Sequence, residues 1–374
     1  MRVLFVDVLR LLALFQMVNG HTLDAVLANG ERTGDAFARY GYARGLVSVA
    51  FLVVAGISFH LTTVARLAEH RADPKAVRRR FTRAAQVVAV GYLLQVRWSA
   101  DYFDPLQAEA AFRSLFRCEV LQCIGLSLLA LELLALVCTR AIQLASASGA
   151  LALAVFFLAP AAERASGHGA VSLVNGLLGH AQGSQFPLLP WSGYVFAGVV
   201  LGAVALPSRG ATPTWRRVAG LLASAGAIGV ASVGAHVVLP LVSHVRTSST
   251  PWFVLEKLAV IALVLAVLAL LTHSMRALPR PLIILGSETL VLFVFHLQVI
   301  YGGHWALAHR FGRALAWPEA LSVALFNIVL TTLFGLAYHA LKQRLSKRPK
   351  WTTGLLQTLQ RPLPQSSLSA NQAD

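Results

Sequence analysis

The residues best suited to chemistry sit on the first apolar stretch, MRVLFVDVLRLLALFQMVNGH. There Asp7, Arg10, Asn19 and His21 interrupt a run of about one membrane span. At about 100° per residue, Asp7, Arg10, Leu14, Met17 and His21 fall three or four residues apart on one helix face. A carboxylate, a guanidinium and an imidazole are costly in lipid unless they line a bundle interior or a wet cavity. The stripe therefore predicts the spine of a functional pore or tunnel. Fourteen residues separate Asp7 from His21, roughly 21 Å of helix, so the stripe joins the two sides of a bilayer. Asp7 and Arg10 at i,i+3 also suit an internal ion pair, and Asn19 an interhelical hydrogen bond.

The rest of the chain must hold that helix. Of 374 residues, 56% are hydrophobic and only 13% charged, where a soluble domain carries roughly 25% charged residues. Mean hydropathy is +0.65. The class is an all-α polytopic membrane protein, because the apolar runs are long rather than the short alternating segments of a barrel. Ten runs are expected to span, at 3–22, 44–65, 81–98, 116–138, 148–163, 187–206, 215–241, 253–273, 281–303 and 319–341. The transmembrane domain is placed at 1–345, and the polar residues 346–374 read as a disordered tail. The first run has charges in its apolar stretch and no A-x-A cleavage site, so it is expected to be retained as a helix.

A net charge of +16 would suggest nucleic acid in a soluble protein. Here Lys and Arg gather in the loops on the N-terminal side, led by Arg78, Arg79, Arg80 and Arg83. The positive-inside rule accounts for that, puts both termini in the cytoplasm and removes nucleic acid as a partner. His21 is then near the outer face, with Asp7 and Arg10 near the inner one. The longer outer loops carry Asp24, Asp35, Asp101, Asp104 and His180. Cys118, Cys123 and Cys138 lack metal-ligand spacing, no HExxH or GxxxxGK[ST] occurs, and no metal is expected.

Two later positions join the candidates. His296 lies in LVLFVFHLQV, where a histidine is either a satisfied interhelical donor or part of a pocket. Trp191 follows Pro187 and Pro190 at the start of a span, where prolines are tolerated and tryptophan favours the interface.

Four stretches, in order, resemble one family. RVLFVDVLRLLALFQMVNGH is similar to the opening helix of the transmembrane acyltransferases, FLVVAGISFHL at 51–61 to their second-helix motif, and FPLLPWSGYVFAGVVLG at 186–202 to their FPLLPW segment. LGSETLVLFVFHLQVIYG at 285–302 resembles a late helix ending in His and a polar residue. The best fit is the heparan-α-glucosaminide N-acetyltransferase catalytic-domain family, in a short bacterial form. Leu11 stands where that family has Gly, and residues 22–44 lack the loop His of its animal members, so His21 takes that place.

The resemblance implies a multi-pass enzyme of the bacterial inner membrane. It would move an acetyl group from cytoplasmic acetyl-CoA to an amino or hydroxyl group of an extracytoplasmic sugar or glycan. In that reading Arg10, with Asp7 beside it in the cofactor-binding site, meets the CoA phosphates, and His21 serves as general base or acyl acceptor. Asn19 polarises the thioester, and His296 and Trp191 shape the substrate pocket. The lipid bilayer and the glycan are the partners, with an oligomer left open. The alternatives are an O-acyltransferase adding succinyl or another acyl group to periplasmic or surface glucans, and a proton-coupled small-molecule transporter. The chain shows no internal repeat of the kind transporters often carry.

Overall fold

A backbone crossing lipid must satisfy its own polar groups, which leaves apolar runs of this length to form helices. The computed structural model describes residues 3–95, 115–168, 173–180, 183–206, 214–238 and 247–346. Within them it shows helices, turns and one isolated bridge, Leu27 to Leu315. The helices are α1 (Leu4–Val26), α2 (Gly34–Thr62), α3 (Leu67–Ala72), α4 (Pro74–Gln95) and α5 (Val120–Val137). They continue with α6 (Ala141–His168), α7 (Leu173–Leu178), α8 (Leu188–Ala205), α9 (Trp215–Val238) and α10 (Pro251–Leu271). The last are α11 (Arg280–Ser287), α12 (Thr289–Tyr301), α13 (Leu307–Phe311) and α14 (Trp317–Ser346).

Among the described residues, eight helices are long and apolar enough to cross a membrane, or nine spans if the bent pair α11–α12 counts as one. The protein is thus an all-α polytopic membrane protein, and three expected spans differ in detail. The run expected at 81–98 falls on α4 as far as Gln95, with 96–98 outside the described residues, and the arginine cluster in the first turns of α4 keeps it out of that set. The short run at 148–163 belongs to the longer α6. The run at 281–303 is broken, α11 and α12 meeting at 79°. Glu288 sits at the break with non-helical φ −106° and ψ 22°. Its carboxylate accepts from Lys342 Nζ of α14 at 2.9 and 3.1 Å and lies 3.1 Å from His339 Nδ1. The expected tail past Ser346 lies outside the described residues, as do Asp101 and Asp104.

α1 touches α2, α10, α11, α12, α13 and α14. Its far end is tied to α14 by Asn327 Nδ2, which donates to Thr22 Oγ1 at 2.9 Å in a buried site. Backbone bonds from Leu315 to Val26 and from Ala28 to Leu315 close the same end. On its other side, α2 packs closely on α8. A methyl group on Gly56 would strike the Val195 carbonyl, and one on Gly198 the Val53 carbonyl. Small residues at both contact points are what let two membrane helices approach to backbone contact. Leu153, Phe157, Val230, Leu325 and Phe326 on α6, α9 and α14 are exposed, as apolar side chains facing lipid would be.

Candidate active site

The polar stripe of α1 faces α2 and the broken span. Near its start, Arg10 Nη1 lies 3.3 Å from Asp7 Oδ1, and the same nitrogen reaches the Gly286 carbonyl of α11 at 3.4 Å. Nη2 donates to Ser58 Oγ of α2 at 2.9 Å. Arg10 thus joins three helices at one level. The second oxygen of Asp7 is buried with no hydrogen-bond partner. Ser58 was not singled out in the sequence, although it is a polar residue in the apolar run FLVVAGISFHL.

About eleven residues further along, the stripe ends at His21, whose ring lies against His296 of α12. The ring centroids are 5.4 Å apart and the planes tilted by 36°. His296 is wholly buried. Its Nδ1 is 3.0 Å from the Leu292 carbonyl, which can only accept, so in the neutral ring Nδ1 carries the proton. Nε2 is then a bare lone pair, and it is buried without a partner. Phe293 closes on the His296 ring edge to face, centroids 5.5 Å apart. One turn beyond His21, Asp24 forms an ion pair with Arg44 of α2. Tyr40 donates to the Gly20 carbonyl at 3.3 Å. A loop-facing carboxylate and cation therefore stand beside the histidine pair.

Between these ends the stripe is not an open tunnel. Leu14 and Met17 are buried in the apolar core. Asn19 is turned about 200° round the helix from His21, and its Nδ2 donates to Gln16 Oε1 on the same helix at 3.4 Å.

A model of the heparan-alpha-glucosaminide N-acetyltransferase catalytic family matches residues 2–238, well over half of the chain. The chain belongs to that family. It is accordingly a membrane N-acetyltransferase in general type. The match takes in α1 to α9, with Asp7, Arg10, Asn19, His21 and Trp191, and stops before the stretch 285–302 that holds His296. No curated protein matches the chain.

In this acetyltransferase Trp191 belongs to a second buried cluster. Its Nε1 donates to His180 Nε2 at 3.3 Å. His180 Nδ1 and backbone nitrogen each lie 2.9 Å from Glu163 Oε2. Ser249 Oγ is 3.4 Å from the same Nδ1. Every nitrogen of His180 is thereby engaged, in a knot that ties it to α6, α8 and the turn before α10. Glu163 and Ser249 carried no local motif and were not singled out in the sequence. Among the described residues, no group of three or more His, Cys, Asp or Glu could hold a metal ion.

Proposed function

We propose that this acetyltransferase takes its acetyl group from acetyl-CoA on the Arg10 side of the bundle, read as cytoplasmic from the bias of loop arginines and lysines. It passes the group to an amino or hydroxyl group of a sugar on the His21 side. The observation that carries this reading is the His21–His296 pair. It sets two imidazoles ring against ring at the end of a polar stripe, one of them with a buried, unpartnered basic nitrogen.

In this mechanism His21, the less buried ring, takes the proton from the acceptor N–H or O–H as the acceptor attacks the thioester carbonyl. The C–S bond breaks, and the leaving thiolate recovers that proton from the imidazolium. His296 fixes the facing wall, its Nδ1 proton anchored on Leu292. General-base assistance of this kind contributes about 10²- to 10⁴-fold. Arg10, held by Asp7 and Ser58, keeps a cation at the donor end. Leu14 and Met17 must swing aside for a pantetheine arm to lie along α1. Asn19, bonded on another face of the helix, is given no step, and Trp191 holds the outer end of α8 beside the acceptor side. The site belongs to an inner-membrane enzyme in this reading.

The test is transfer of radiolabelled acetyl from acetyl-CoA to an amino-sugar acceptor by the purified protein and by His21→Ala. The variant should fold, bind acetyl-CoA and transfer at least 100-fold more slowly. Transfer at the parent rate would remove His21 from the mechanism.

A further inference from the structure

A cavity of about 220 Å³ lies between α2, α4 and α5, lined among others by Ser58, Phe59, Thr62, Arg80, Arg83 and Glu132. We propose that this cavity seats the phosphate-bearing nucleotide end of the CoA donor, with Arg80 and Arg83 as the phosphate ligands. The inference rests on the proposed acetyl-CoA chemistry and names the place where the anionic half of that donor is held.

Four observations carry it. First, the arginines of the 78–83 cluster are not equivalent. Arg79 lies within 3.8 Å of Asp73, whereas Arg80 and Arg83, at i,i+3 on one face of α4, line the cavity. Second, their donors are free to bind. Arg80 makes one long bond, Nη2 to the Thr62 carbonyl at 3.5 Å, and Arg83 is exposed with no hydrogen bond among the described residues. Two guanidinium forks side by side match phosphate oxygens bidentately. Third, the lining sets two guanidiniums against one carboxylate, Glu132, which is also engaged by His70 Nε2 at 2.9 Å.

The fourth observation is continuity. Ser58 lines the cavity and also accepts the hydrogen bond from Arg10, so the cavity opens beside the start of the α1 stripe. Eleven residues of helix, about 16 Å, then lead to His21, comparable with an extended pantetheine arm. Arg10 itself is committed to Asp7, Ser58 and Gly286, so the phosphate charge falls to the neighbouring pair. The cavity is smaller than the roughly 300–1,000 Å³ of a pocket enclosing a whole drug-sized ligand, which suits one end group of a long coenzyme. The shared chemistry is a phosphate ester, which a lipid headgroup also carries, and the experiment separates the two.

The full-length protein is titrated calorimetrically in detergent with CoA, with adenosine 3′,5′-bisphosphate and with pantetheine. Arg83→Glu is the main variant, because an exposed side chain without hydrogen bonds is replaceable without loss of the fold. Thr62→Trp, which fills the cavity and leaves its charge intact, is the second. Both should weaken CoA and the bisphosphate about tenfold or more and leave pantetheine unchanged. They should raise the KM for acetyl-CoA by a similar factor, with a much smaller fall in kcat. Unchanged CoA affinity in both variants, with transfer still dependent on His21, overturns the inference and leaves the proposed function standing. A parent protein that neither binds CoA nor transfers acetyl overturns both. Loss of bound phosphatidylglycerol from nanodiscs on Arg83→Glu, with CoA affinity retained, assigns the cavity to lipid and also overturns the inference.

Discussion

Two buried histidine clusters stand in this bundle and are built on opposite principles. At His180 each nitrogen is engaged, by Trp191, by Glu163 and by Ser249 nearby. At His296 one nitrogen is anchored on its own helix, and the other faces the interior with nothing to bond. A buried polar atom without a partner costs about 1–3 kcal/mol, and at His296 that atom stands beside a second imidazole, His21. The satisfied cluster is read as a brace, and the unsatisfied pair as the place where a transient partner binds.

The largest effect that could break this contrast is on rate. His21→Ala is expected to slow acetyl transfer at least 100-fold, and His296→Leu, which loosens the wall that positions His21, by up to about 100-fold, measured with labelled donor. Neither should lower thermal stability by much, because leucine at 296 removes an unpaired nitrogen along with one local bond. His180→Leu should do the opposite. It strips Glu163 of a buried partner and should destabilise by about 3 kcal/mol, with the rate per folded molecule nearly kept. If His180→Leu instead abolishes transfer in folded protein, the brace is part of the site.

Smaller effects sharpen the distinction. His60 also buries both nitrogens without partners, packed against Gly202, but no second imidazole faces it among the described residues. His60→Leu should leave transfer within about threefold and stability equal or higher, which thermal unfolding in detergent would show. An activity loss equal to that of His296→Leu would extend the site to the α2–α8 crossing.

The smallest expected effect is on pH dependence. Glu119, just before α5, holds its proton up to about 7, because burial disfavours the charged carboxylate more than nearby Arg117 favours it. The unfolded chain ionises this group near 4.5. Its contribution to stability is therefore complete below about 4.5 and lost as pH rises through about 7. Glu119→Gln should flatten the fall in melting temperature between pH 5 and 8. An unchanged slope would show that Glu119 is ionised in the fold.

The sequence made α1 legible because a charge in an apolar run is conspicuous, and 3.6-residue spacing is enough to put Asp7, Arg10 and His21 on one face. It also made both His21 and His296 visible as anomalies in lipid. What it could not show was that they meet, since 275 positions separate them and only tertiary packing brings α12 onto α1. The same holds for Ser58, whose hydroxyl matters only because Arg10 lies opposite, and for Glu163, His180 and Ser249, which converge from three loops and helices. The break at Glu288 was hidden because 281–303 still reads as one apolar run long enough to span; the partner that stabilises the break, Lys342, lies 54 residues on.

That break has an electrostatic consequence. Cutting one span into α11 and α12 places two helix ends, each with a partial charge, inside the bundle. The negative, carbonyl end of α11 meets the Arg10 guanidinium at Gly286. The positive, amide end of α12 begins at the Glu288 carboxylate. A continuous helix would offer neither. By interrupting its own peptide dipoles, the chain supplies a counter-field to both a cation and an anion at one break.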